Sequence, residues 1–335
     1  MIAVTYHADL KEVQSDPPLA RLLGDGTQLT PFDRLAWWQG LVRHCGIAPL
    51  LAVASDGDAR AVLPLRMSGN GFEALGNWYS FQVRPVISPG ADGAALLAAI
   101  ARDLPARRIS LVGIPGEDGS VDQLCAAFRS EGWVVFSVVC DINHILHLNN
   151  RSYAEYLATR PGALRTTLKR KSAKVECRVL DHFDAAVWAD YETIYASSWK
   201  PAEGSPAFLR DFAEAEGAAG RLRLGIASAD GRAVAAQLWT VDGNTAFIHK
   251  LAHLEEAKPL SPGSVLSAAL FAHVIDSDRV ATVDFGTGDD GYKRDWMEEA
   301  RPRYRLDMFR PGHPANWPAI VRNFASRLAP RGKHG

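Results

Sequence analysis

Asp284 to Trp296 reads DFGTGDDGYKRDW, and it completes the apolar run VATVDF. Inside it, Gly286-x-Gly288-x-x-Gly291 has the spacing of a dinucleotide-binding loop, and Asp307 lies about twenty residues on, where a ribose-binding acid belongs. Three features oppose a nucleotide site. Asp289 and Asp290 place two negative charges where a pyrophosphate would bind. The following YKRDWMEEARPR is too polar to pack as a helix on a sheet. Only about thirty residues remain after Asp307, too few to finish a doubly wound sheet. The triplet Asp284-Phe285-Gly286 echoes the kinase magnesium motif, but no H-R-D catalytic loop accompanies it. The chain also has no G-x-S-x-G elbow and no H-E-x-x-H metal helix, and no metal is expected.

The chain has 335 residues, 47% of them hydrophobic, which is enough for two domains. Lys plus Arg number 37 against 38 acids, so no overall positive field draws the protein to nucleic acid or anionic lipid. Cys45, Cys125, Cys140 and Cys177 are scattered and read as buried, reduced thiols. The N-terminus MIAVTYHADLKEV lacks the basic and apolar regions of a secretion signal, and no apolar run is long enough to span a bilayer. A cytoplasmic protein is expected.

Outward from the glycines, apolar periodicity predicts a repeated element order. PFDRLAWWQGLVRHCG reads as a helix and LLAVASDGDARAVLPLRM as a hairpin about Asp56-Gly57-Asp58. GFEALGNWYSFQVRPVI reads as extended chain, followed by helix, strand, helix and strand to about residue 148. The second half repeats this. Two helices precede three strands turned at Asp230-Gly231 and Asp242-Gly243, then come the apolar helix SVLSAALFAHVIDSD, the strand VATVDFG, a short helix and the strand YRLDMF. The fold class is α/β of the α+β kind. Two tandem domains are expected, residues 1–148 and 149–320, each a mixed, mostly antiparallel sheet flanked by helices. A frayed basic tail, 321–335, should follow. Between the halves, RPGALRTTLKRKSAKVECR reads as a helix carrying Arg160, Arg165, Lys169, Arg170, Lys171, Lys174 and Arg178. It is either a solvated linker or a phosphate-contacting face.

A buried strand ending in Asp284, Phe285, Gly286, Gly288 and Asp289, then Tyr292, Lys293, Arg294 and Trp296, resembles the C-terminal signature of GNAT-fold acyltransferases related to the Fem peptidyltransferases. Within that group it resembles the cellulose-biosynthesis type of acetyltransferase. The resemblance extends over residues 150 to 310, and the first half looks like the family's divergent first GNAT-like domain. It implies an acyl-CoA-dependent N-acyltransferase, with acetyl-CoA as co-substrate lying in a splayed sheet. The acceptor would be an amine on a small molecule or a glycan or cell-envelope precursor. The donor site would fall on Lys258, Ser261, Gly263, Ser264 and Val265, where a helix start offers bare amides to phosphate. This chain keeps a single glycine where the family has a longer glycine motif.

The resemblance assigns Tyr292 as acid for the leaving thiolate and Lys293 as a transfer residue. Asp284 either orients Lys293, acts as base, or pairs structurally. His249 and His253, four apart on a strand, should share one face, and His249 is a candidate base. Trp78, Tyr79, Trp199 and Lys200 are candidate acceptor-lining residues, with a packed core role as the alternative for the aromatics. Two other readings remain. One is a Fem-like aminoacyl-tRNA-dependent transferase, in which the basic helix would contact tRNA, although the balanced charge makes nucleic acid a poor partner. The other is a non-catalytic scaffold.

Overall fold

The computed structural model describes residues 1–28, 30–69 and 71–328. In chain order its strands are β1 (Ala3–His7), β2 (Pro49–Asp56), β3 (Ala59–Ser68), β4 (Gly71–Ala74), β5 (Val86–Ile87), β6 (Arg108–Pro115) and β7 (Val134–His147). There follow β8 (Glu176–Leu180), β9 (Leu222–Ala229), β10 (Arg232–Asp242), β11 (Thr245–His253), β12 (Thr282–Thr287) and β13 (Glu299–Phe309). The helices are α1 (Leu10–Gln14), α2 (Pro17–Leu22), α3 (Leu35–Cys45), α4 (Gly93–Asp103), α5 (Ser120–Ser130) and α6 (Tyr153–Ala158). The rest are α7 (Gly162–Lys171), α8 (Ala185–Ala196), α9 (Pro206–Ala218), α10 (Pro262–Ala272), α11 (Gly291–Trp296) and α12 (Trp317–Leu328).

The chain divides into two compact units. The first holds Met1–Val42, Gly46–Asp141 and the chain from Pro302, and the second holds Arg43–Cys45 and Ile142–Arg301. This differs from the expected 1–148 and 149–320 division, because residues 303–309 of β13 pair antiparallel with β6, from Arg303↔Pro115 to Phe309↔Arg108. Part of the expected tail is helical, since α12 runs through Leu328; residues 329–335 lie outside the described residues. The stretch expected to be extended forms only β4 and β5, with irregular chain between them. The expected basic helix stops at Lys171, and Arg178 lies on β8. Of the four cysteines, only Cys125 is buried and Cys140 is exposed.

In the first unit the strand order is β1-β2-β3-β4-β6-β13, with β5 paired to β3. Among the described residues of this unit β4 and β6 run parallel, which requires a crossover, and α4 lies in that connection. The Asp92 carboxylate caps α4 by accepting from the Ala95 amide at 3.0 Å.

The second unit has the order β7-β12-β11-β10-β9-β8. The turn between β9 and β10 places Asp230 (φ 50°) and Gly231 (φ 77°) in the left-handed region, as a two-residue hairpin of this hand requires. Again one pair is parallel, β11 with β12, and α10 is its crossover. Val265, Leu266, Leu270 and Phe271 bury one side of α10 on the sheet. Gly225 on β9 permits that approach, since a Cβ there would meet Leu270 Cδ1 at 2.7 Å. Phe271 is stacked between Tyr156 (5.4 Å) and Trp296 (4.8 Å), with Trp239 edge-on at 5.1 Å. The last residue of the DFGTGDDGYKRDW stretch is therefore a packing anchor. Tyr156 Oη reinforces it by donating to the Trp296 carbonyl at 2.8 Å.

Candidate functional site: a split sheet, a bare helix start and an aromatic pocket

The parallel strands β11 and β12 pair at three positions, Thr245↔Thr282, Ala246↔Val283 and Phe247↔Asp284. Past Phe247, β11 continues to His253 and β12 to Thr287 with no further register between them. The sheet is split at this point. On its other edge β11 carries a bulge, because Trp239 faces Ile248 while Leu238 faces Lys250, which leaves His249 as the extra residue.

The bulge corrects the expectation for the two histidines. An extra residue reverses the alternation of side chains beyond it. Ile248 and Leu251 both pack into the core beneath α10. His249 turns the other way, edge-on to Phe212 of α9 at 5.1 Å and 2.8 Å from Thr240 Oγ1. His253 lies toward α10, its ring being the nearest group to a Cβ on Gly263, at 3.3 Å. The two rings thus face opposite sides. Burial, with Lys250 adding to it, holds the His249 imidazole down at about 3, so it is neutral and weakly basic.

At the end of the opened β11, a 3-10 segment, Glu255–Leu260, leads to α10. Ser261 takes a left-handed conformation (φ 51°) and its side chain caps nothing, unlike Asp92 on α4. The Val265 amide is used by the Ser261 carbonyl at 3.1 Å, while Gly263 and Ser264 stand at the open helix start. Gln237 Nε2 donates to the Gly263 carbonyl at 3.0 Å and to Ser267 Oγ at 2.8 Å, which fixes this turn from below. Lys258 is solvent-exposed and 4.0 Å from Glu255. Lys171 of α7 donates to the Pro259 carbonyl at 2.8 Å, so the basic helix borders the same turn. The two crossover helices differ in charge at their starts: a carboxylate occupies that of α4, and none occupies that of α10.

The glycines of DFGTGDDGYKRDW build the end of β12. Gly286 (φ 67°) and Gly288 (φ 92°) take conformations closed to most side chains. Pairing of β12 with β7 slips between Asp284 and Thr287. Buried Asp284 holds that irregularity, its Oδ1 accepting from the Gly286 amide and from Asn143 Nδ2, each at 2.7 Å. Its Oδ2 lies 3.4 Å from Arg301, which also donates to Asn143 Oδ1 at 2.7 Å. Both carboxylate oxygens of Asp284 are thus engaged by neighbouring groups. Lys293 is buried, donates to the Thr287 carbonyl and lies 5.4 Å from the centre of the Phe285 ring. Asp289 pairs with Arg294 and, at 3.1 Å, with His144. Tyr292 is part-exposed and packs edge-on against Phe285 at 5.6 Å. Desolvation of its ring, with Asp290 nearby, pushes the hydroxyl up to about 12.

A pocket of about 460 Å³ opens beside the loop between α8 and α9. Trp188, Tyr191 and Tyr195 form one wall, with Trp188 and Tyr191 stacked at 4.6 Å. Lys200 and Glu203 come from the loop, and Glu203 pairs with Lys250, the residue after the bulge, at 2.9 Å. Trp199 packs on His253 at 4.3 Å, and Lys200 Nζ lies 5.5 Å from the Trp199 ring. Burial and then Lys250 lower the Lys200 pKa, while Asp290 and Glu203 act in the opposite direction.

Residues 150–294 match the family model described as an acetyltransferase (GNAT) domain. These residues form a GNAT acyltransferase domain. Among curated proteins none matches the chain. Solved structures share the fold at low identity. FemX is 13% identical with a TM-score of 0.61, covering 95% of this chain and 100% of that one. The C-terminal domain of a putative lysylphosphatidylglycerol synthetase from Agrobacterium fabrum is 13% identical with a TM-score of 0.58, covering 96% and 97%. A tandem GNAT protein from the clavulanic acid biosynthesis pathway is 13% identical with a TM-score of 0.53, covering 91% and 98%.

The GNAT domain brings together Tyr292, Lys293 and Asp284 around the end of β12, and Ser261, Gly263, Ser264 and Val265 at the start of α10. Trp199 and Lys200 belong to the same unit, whereas Trp78 and Tyr79 belong to the first. There Tyr79 is buried in the core and Trp78 is exposed. Among the described residues no cluster suits a metal ion, and no helix is long and apolar enough to cross a membrane. Sequence reading missed Asn143, Arg301, Glu203 and Lys250, whose roles come from long-range pairing. The aromatic wall did leave a signal, since Trp188, Tyr191 and Tyr195 fall on one helical face in WADYETIY.

Proposed function

We propose that this protein is an acyl-CoA-dependent N-acyltransferase acting on an amine, with acetyl as the transferred group. The observation that carries the reading is the uncapped start of α10 beside the gap between β11 and β12. Free amides and the positive end of the helix dipole suit a phosphate-bearing donor there, and Gly263, Ser264 and Lys258 are the groups that would hold it. An acyl-CoA supplies the activated acyl group. Tyr292 keeps its proton at neutral pH, so its Oη is the group on this chain suited to protonate a leaving sulfur. Lys293 and Asp284 fix the bulged end of β12 from which Tyr292 projects. Cytoplasmic location and a small-molecule, glycan-precursor or cell-envelope acceptor are part of the same proposal.

Ser264→Asp tests the donor site, because a carboxylate in the first turn stabilises a helix but repels phosphate. Calorimetric titration should show acetyl-CoA binding to the native protein and its loss in Ser264→Asp, with no fall in melting temperature. Equal binding by both proteins would remove the donor from α10. The second reading, transfer from aminoacyl-tRNA, draws on exposed Lys169, Arg170 and Lys174, which have no acidic partner among the described residues. Steeply salt-dependent tRNA binding in place of acetyl-CoA binding would select it.

A further inference from the structure

The pocket beside the α8–α9 loop is lined by three charged groups, Glu192, Lys200 and Glu203, and two are already engaged. Glu203 is bound by Lys250 at 2.9 Å, and Glu192 accepts from the Trp188 indole at 2.9 Å. Lys200 differs. Its Nζ has no hydrogen-bond or ion-pair partner among the described residues, although the side chain is half-buried between the pocket and the Trp199 ring. A partly desolvated ammonium retains three donors that favour an anion. Opposite it, the Trp188–Tyr191–Tyr195 wall offers flat apolar surface. At about 460 Å³ the space suits a small molecule.

We infer that the pocket binds a small acceptor carrying an anionic group, a carboxylate, together with an apolar or aromatic body, in the manner of an amino acid presenting its amine. Lys200 pairs with the carboxylate and the aromatic wall covers the side chain. Trp199 links the pocket to the donor turn through His253 and Gly263. This inference rests on the acyltransferase reading for the word acceptor, but the binding it describes does not.

The test is a fluorescence titration of the full chain with N-acetyl-phenylalanine and with N-acetyl-phenylalaninamide, two probes that mimic an acylated product and differ in the carboxylate. The acid should bind about tenfold or more tightly than the amide, Lys200→Gln should erase that ratio, and Lys200→Arg should keep it. Equal affinity for the two probes, no binding of either, or an unchanged ratio in Lys200→Gln overturns the inference. If the ratio behaves as expected while acetyl-CoA fails to bind, the anion pocket stands and the acyltransferase reading falls.

Discussion

Replacing Asp284 separates a structural carboxylate from a catalytic base. Its two oxygens receive the Gly286 amide and Asn143 at 2.7 Å, with Arg301 at 3.4 Å, and the residue is buried. Asp284→Ala strands a part-buried guanidinium, an amide and a side-chain NH₂. Breaking one partner of a buried charged pair costs ~3–5 kcal/mol. For a unit of this size each kcal/mol lowers the melting temperature by about 2–4 °C, so a fall of roughly 6–20 °C is expected. Asp284→Asn should cost less, because it keeps one oxygen for the Gly286 amide and loses chiefly the attraction to Arg301. The assay is thermal unfolding of both variants, paired with thiol release from acetyl-CoA well below their midpoints. Under structural pairing, activity follows the folded fraction, and Asp284→Asn retains much of it. An unchanged melting temperature in Asp284→Ala, with turnover abolished, would refute this reasoning and make Asp284 a base.

Tyr292→Phe should preserve the melting temperature and lower thiol release by about a hundredfold, the smaller end of what a general acid contributes. Because the hydroxyl titrates near 12, the native rate should show no basic limb from this group at working pH. Full activity in the variant would remove Tyr292 from the chemistry. Gly225→Ala forces a methyl against Leu270 and Leu266 and should destabilise the protein by ~1–3 kcal/mol in urea unfolding, although alanine suits strands better than glycine. His249 is depressed to about 3 when folded against an ordinary 6.5, so the unfolded chain binds the extra proton between those values. Its contribution to stability is complete above about 6.5 and is lost as pH falls toward 3. Denaturation midpoints measured across that window should decline less steeply in His249→Gln, and an identical slope would contradict the burial.

Local chemistry settled much of the fold in the sequence itself. Asp-Gly pairs mark the hairpins of β2–β3 and β9–β10 because few other residues adopt the left-handed backbone such turns demand. The apolar run of α10 and the VATVDF strand announce a buried helix and strand by composition alone, and the glycine–tyrosine–lysine signature pointed to the GNAT frame. Tertiary structure decided the rest. That residues 303–309 of β13 belong to the first unit follows from their pairing with β6, of which they carry no local mark. The bulge at His249 arises from register against β10, so period-two reading placed two histidines together that the fold sets on opposite faces. Asp284 meets Asn143 and Arg301, and Lys200 lines a pocket with residues of α8. These are contacts between residues distant in sequence, and periodicity records only which side of an element is buried, not what lies against it.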